Sequence, residues 1–146
     1  MRKLIFLAVA LLSLVLGAPV AGAASDNGAG ITSASGCLDA HGPGTWNKHC
    51  IVVEGSGLDV ASVEGHLNAT VAPYFPADIC GVHVKVWGTE LGGYYFERSQ
   101  PNNGCALGTL GVRWNLNMKF QPGSQLCAQT SYAGRVPGPV CVQIRY

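Results

Sequence analysis

The clearest periodicity in the chain runs over residues 110–120. Leu110, Val112, Trp114, Leu116, Met118 and Phe120 fall on one face, and Gly111, Arg113, Asn115, Asn117 and Lys119 on the other. A period of two predicts a long β-strand with one dry and one wet face. Pro122-Gly123 ends it. Residues 82–87 alternate in the same way, which predicts a half-buried strand with His83 facing solvent. Shorter apolar stretches at 50–54, 58–63, 66–71, 126–130 and 140–146 predict further strands. Between them lie Gly55-Ser56-Gly57, the proline-bounded residues 72–76, and the loop 134–139. Gly42-Pro43-Gly44 and Pro101-Asn102-Asn103-Gly104 read as turns. No segment shows a capped helical pattern. Seven or eight short strands predict an all-β fold, an antiparallel β-sandwich of immunoglobulin-like kind, with a small barrel as the alternative.

The start of the chain follows different rules. Met1-Arg2-Lys3 is basic, residues 4–16 are apolar, and Ala21-Gly22-Ala23 offers small residues for cleavage. This is the pattern of a secretory signal peptide over residues 1–23. An apolar run of 13 residues is too short to span a bilayer. Cleavage after Ala23 leaves 123 of the 146 residues, enough for one domain with a real core, and predicts a secreted, extracellular product. Residues 24–36 are small and polar, with Ile31 as an isolated β-branched apolar residue, and predict a flexible arm. The β domain is then expected over 37–146.

Six cysteines, Cys37, Cys50, Cys80, Cys105, Cys127 and Cys141, all lie beyond the leader. An even count in an exported chain predicts three disulfides. No Cys-x-x-Cys pair argues for zinc instead. Six cysteines allow 15 pairings; the preferred one is sequential, 37–50, 80–105 and 127–141. Strand phase supports the last pair. Cys127 shares a face with Gln129 and Ser131, and Cys141 with Gln143 and Arg145.

Without the leader, seven Lys and Arg stand against eight Asp and Glu, a net charge of −1 with neither sign clustered. That balance predicts neither nucleic-acid binding nor membrane insertion. The four histidines lack metal-site spacing, and no nucleophile motif occurs; Ser33 and Ser35 precede Asp39 and His41 beside the arm, a poor setting for a triad. No enzyme activity, cofactor or metal is expected. Glu54, Glu64, Glu90 and Glu97 could in principle form carboxylate pairs. Trp46, Trp87, Trp114 and the run Tyr94-Tyr95-Phe96 invite a sugar-stacking reading, with Trp114 assigned to the core and Trp87 to an exposed position by phase. Exposed aromatics equally anchor protein interfaces. The candidate partner-binding residues are therefore Ile31, Thr32 and Ser33 on the arm, with Trp87, Tyr94 and Tyr95 on the domain. Asn68-Ala69-Thr70 fits the glycosylation sequon.

Cys50-Ile-Val-Val-Glu-Gly-Ser-Gly-Leu-Asp-Val60, the stretch from Cys80 to Trp87-Gly88, Leu126-Cys127-Ala128 and Val140-Cys141-Val142 together carry a resemblance. Over roughly residues 50–146 the chain resembles the small B subunits of the Streptomyces umbrella toxin particles. The resemblance implies a non-catalytic adaptor. It would join a lectin-bearing, cell-surface-binding subunit to a large repeat-containing toxin subunit in an antibacterial particle. A secreted inhibitor of a protease or other hydrolase, with loop 38–49 or 128–140 presented by a disulfide, is the main rival. A carbohydrate-binding module using Trp87 and the 94–96 run is another.

Overall fold

The computed structural model of the chain describes residues 32–146 apart from Pro73. The leader, residues 24–31 and with them Ile31 lie outside the described residues. Among the described residues the strands are β1 (Thr32–Asp39), β2 (Trp46–Ser56), β3 (Asp59–Ala72), β4 (Phe75–Pro76) and β5 (Asp78–Thr89), then β6 (Tyr95–Leu107), β7 (Thr109–Lys119), β8 (Gln125–Tyr132) and β9 (Val140–Gln143). They form two antiparallel sheets. The first runs β1-β2-β3-β4, with β7 also paired to β3; the second runs β6-β5-β8-β9. The sheets face one another and do not close into a barrel. The fold is the disulfide-stapled β-sandwich that alternation predicts.

The core follows from that alternation. Ile51, Val53, Val63 and Leu67 of the first sheet meet Val84, Val86, Leu126 and Ala128 of the second. Phe120 is fully buried where the chain leaves β7, its ring edge-on to Phe96 with centroids 5.5 Å apart. Leu110 and Val112 are buried on the predicted face of β7, and Trp114, Leu116 and Met118 pack against the core less completely. At Gly65 the two sheets approach so closely that a Cβ would overlap Val84 Cγ1. Ala128 and Thr130 would lie 3.5 and 3.4 Å from it.

The disulfides are Cys37–Cys50, Cys80–Cys105 and Cys127–Cys141, the sequential pairing. Each joins residues directly opposite on neighbouring strands of one sheet: β1 to β2, β5 to β6, and β8 to β9. An immunoglobulin domain places its disulfide between the sheets instead. The staples here hold hairpin partners in register and leave the contact between sheets to the apolar core.

Three expectations need correction. The arm ends earlier than residue 36, because Thr32 to Gly36 belong to β1 and pair with β2 from Thr32↔Gly55 to Gly36↔Ile51. Small residues give that strand no apolar period, so its register comes from the ladder and from Cys37–Cys50. Pro101 to Gly104 is no turn but part of β6. Proline is tolerated there because β6 is a sheet edge, and an extra residue is absorbed by a bulge between Cys80 and Val82. The stretches 58–63 and 66–71 are one strand, β3, which passes through Gly65 without a break.

Candidate functional site

Sheet register places the outer-face residues in rows. On the second sheet Trp87 lies opposite Glu97 on one side and Cys127 on the other, with Cys127 opposite Cys141. One step along, Lys85 lies between Ser99 and Gln129. The Lys85 ammonium stands 2.9 Å from Glu97 Oε2 and 5.5 Å from the centroid of the Trp87 ring. The Tyr95 hydroxyl donates to Glu97 Oε2 at 2.7 Å. That hydrogen bond first, and Lys85 second, hold the Glu97 carboxyl below the ordinary carboxylate range. In return the Glu97 hydrogen bond pushes Lys85 and Tyr95 upward. The group is a fixed, internally neutralised cluster on a rigid sheet.

Beside it the β5–β6 hairpin carries Leu91, Tyr94 and Tyr95, all exposed. The structure thus brings together three predicted candidates, Trp87, Tyr94 and Tyr95, although Trp87 is half-buried between its row neighbours rather than exposed. It separates them from Thr32 and Ser33, whose backbones are committed to the β1–β2 ladder in the other sheet. What β1 offers a partner is its outer edge, since among the described residues it pairs only with β2.

A second aromatic patch was not singled out from sequence. Val71, Tyr74, Phe75 and Leu107 are exposed where β3 turns into β4 and β6 ends. Tyr74 is 96% exposed and has a φ of 126°, a strained conformation for a residue with a side chain. The 72–76 segment signals a chain break, and a breaker pattern does not show which way its aromatics point. Only the fold reveals that they face water together.

The outer face of the first sheet is polar. Arg113 reaches Glu54 and also donates to Ser62 Oγ at 2.9 Å, while Ser62 donates to Glu54 at 3.1 Å. His66 Nδ1 lies 3.0 Å from Glu64 Oε1. Ser62, Glu64 and His66 alternate outward along β3, which puts Ser62 and His66 roughly 13 Å apart at strand spacing. That is beyond the reach of a nucleophile and its base. Glu97 stands on the opposite sheet from Glu54 and Glu64. Among the described residues no group of three His, Cys, Asp or Glu could hold a metal ion.

No family model, curated protein or solved structure matches the chain. Assignment of a role therefore rests on these surfaces.

One buried group adds a condition-dependent property. His49 faces inward on β2, is 0% exposed, and has no well-formed hydrogen bond at either ring nitrogen, the Gly138 backbone being the polar group that acts on it. Burial holds its imidazole below the ordinary histidine range, against a smaller upward pull from the Gly138 backbone. The unfolded chain therefore takes up this proton more readily than the folded one. Stability is full above the unfolded value of about 6.5 and falls as pH drops below it, until the folded value is reached. Urea denaturation at about pH 7.5 and about pH 5 should show this loss in wild type and a smaller loss in His49→Leu. An equal pH dependence in both proteins would remove His49 as its source.

Proposed function

We propose that the chain is a secreted, non-catalytic adaptor linking a lectin-like, cell-surface-binding subunit to a large toxin subunit in an antibacterial particle. The observation that carries the bridging role is the placement of the two aromatic patches. Phe75 lies just before β5 and Tyr94 just after it, and β5 runs for 12 residues. At about 3.3 Å per residue the patches stand roughly 36 Å apart, at opposite ends of the sandwich. Aromatic side chains on strands or on the short turns between them are well suited to anchor protein contacts, because they bury large area with little loss of rotamer freedom. Two such anchors at opposite ends suit a molecule that holds two partners at once. The basic-then-apolar leader and three disulfides fit export to an oxidising compartment.

Co-purification of the tagged protein from its own culture supernatant tests the reading. Wild type should recover a lectin-like protein and a large repeat protein. A Tyr74→Ser/Phe75→Ser variant should lose one of them, and a Tyr94→Ser/Tyr95→Ser variant the other. Recovery of both partners by both variants, or of a lone hydrolase by wild type, would overturn the bridging role.

A further inference from the structure

We propose that the outer face of the first sheet around Trp46 is a binding site for a pyranose ring of a neutral glycan. This goes beyond the adaptor reading and requires no partner protein. Trp46 is 53% exposed although it sits within a strand ladder, opposite Thr70. One step along the sheet, Asp39, Lys48, Asn68 and Thr109 form a row across four strands. A shallow cavity of about 300 Å³ opens beside the indole, with Asp39, Thr45 and Lys48 among its walls. That volume is at the small end for ligand sites and suits a single ring rather than a protein segment.

The chemistry matches a sugar. An indole face is electron-rich and attracts the polarised C–H groups on one face of a pyranose. Lys48 Nζ lies 3.0 Å from Asp39 Oδ1, so a donor and an acceptor stand side by side for adjacent ring hydroxyls. The pair carries no net charge, which favours a neutral sugar over an anionic or cationic one. Thr70 and Thr109 add hydroxyls on the same face, and Thr109 Oγ1 is oriented by a 2.6 Å bond to Asn68 Oδ1. Asn68 also donates to Cys50 Sγ at 3.5 Å, so in the folded protein the sequon asparagine is occupied within the sheet.

The site is also held in advance of binding. Asn47 Nδ2 donates to Gly44 O at 2.8 Å, and Gly44 N donates back to Asn47 Oδ1 at 2.9 Å. Thr45 N donates to Thr70 O at 2.7 Å, and Cys37–Cys50 closes the loop at its base. A loop already ordered loses little entropy when a ligand arrives.

The test is an NMR titration of the isolated, oxidised protein with chitotetraose, cellotetraose and xylotetraose at millimolar concentration. At least one should shift amide signals of residues 39, 45, 46, 48 and 70 in a saturable way. Trp46→Ala should weaken that binding more than about tenfold, Trp46→Phe should retain part of it, and Tyr74→Ser should leave it unchanged. The spectra themselves report whether each variant is folded. Absence of binding by all three sugars, shifts confined to another face, or binding that survives Trp46→Ala would overturn the proposal. Loss of a protein partner on Trp46→Ala without any sugar binding would assign the face to a protein instead. The sugar titrations themselves leave the adaptor reading untouched, which is scored by co-purification.

Discussion

Replacing Gly65 with alanine is expected to destabilise the protein by about 1–3 kcal/mol, and replacing it with valine to leave little folded protein. The glycine sits at mid-length in β3, where a side chain would ordinarily favour the strand. It is required by the space opposite. A Cβ would overlap Val84 Cγ1, and Ala128 and Thr130 close the remaining room. Val84 is fully buried and β-branched, so it cannot swing aside without disturbing its own neighbours. The sheets would have to separate at this point, and every apolar pair across the core would feel the gap. Guanidinium denaturation with the disulfides intact measures the effect. A Gly65→Ala/Val84→Ala pair should recover part of the Gly65→Ala loss, because it removes the overlapping methyl groups. An additive double variant would show that the cost has another origin.

Phe120→Ala is expected to cost about 3–5 kcal/mol. Phe120 is the largest of the fully buried side chains and closes the end of the core where the chain passes from β7 toward β8. Its backbone N–H donates to Leu58 O at 3.0 Å, and the next residue, Gln121, donates to Thr89 O at 3.0 Å. Residues 120–121 thus tie the β2–β3 turn to the end of β5 through backbone bonds, and the Phe120 ring fills the core between them. Removing the ring leaves Phe96 without its edge-to-face partner and opens a void that neighbouring strands cannot fill by sliding. Phe120→Leu should restore most of the stability, since it refills much of the volume. A loss below about 1 kcal/mol for the alanine variant would mean that this end of the sandwich collapses around the vacancy.

Where side chains alternate, the sequence was a reliable guide. Leu110, Val112 and Phe120 lie in the core, and the phase of Cys127 and Cys141 places both sulfurs on the outer face, where they bond. It failed where the strand is specified by something other than period. β1 is built of Ser, Ala and Gly, and only the ladder to β2 reveals it. Pro101 looks like a breaker, yet an edge strand has no use for its missing N–H on the open side. Gly65 carries no local sign that it faces Val84, because that contact links residues far apart in the chain. For the candidate surfaces, phase puts Trp87 on the outer face and Trp114 on the core face, although both are half-buried, and the aromatic run marks Tyr94 and Tyr95. It gave no weight to Tyr74 and Phe75, whose shared exposure depends on how β3 turns into β4.

The placement of the three disulfides has a mechanical consequence. Of the edge strands among the described residues, β1, β6 and β9 are each covalently tied to the strand inside them, while β7 is held to β3 by its ladder alone. An edge strand so tied cannot peel away and be exchanged with the same strand of a second copy, the usual route to swapped dimers. A pull on the chain at Thr32 is resisted in shear along the β1–β2 ladder and then by a sulfur–sulfur bond. At these three edges the body therefore behaves as a clasp, one that can be crowded or tugged by its neighbours without trading those strands with them.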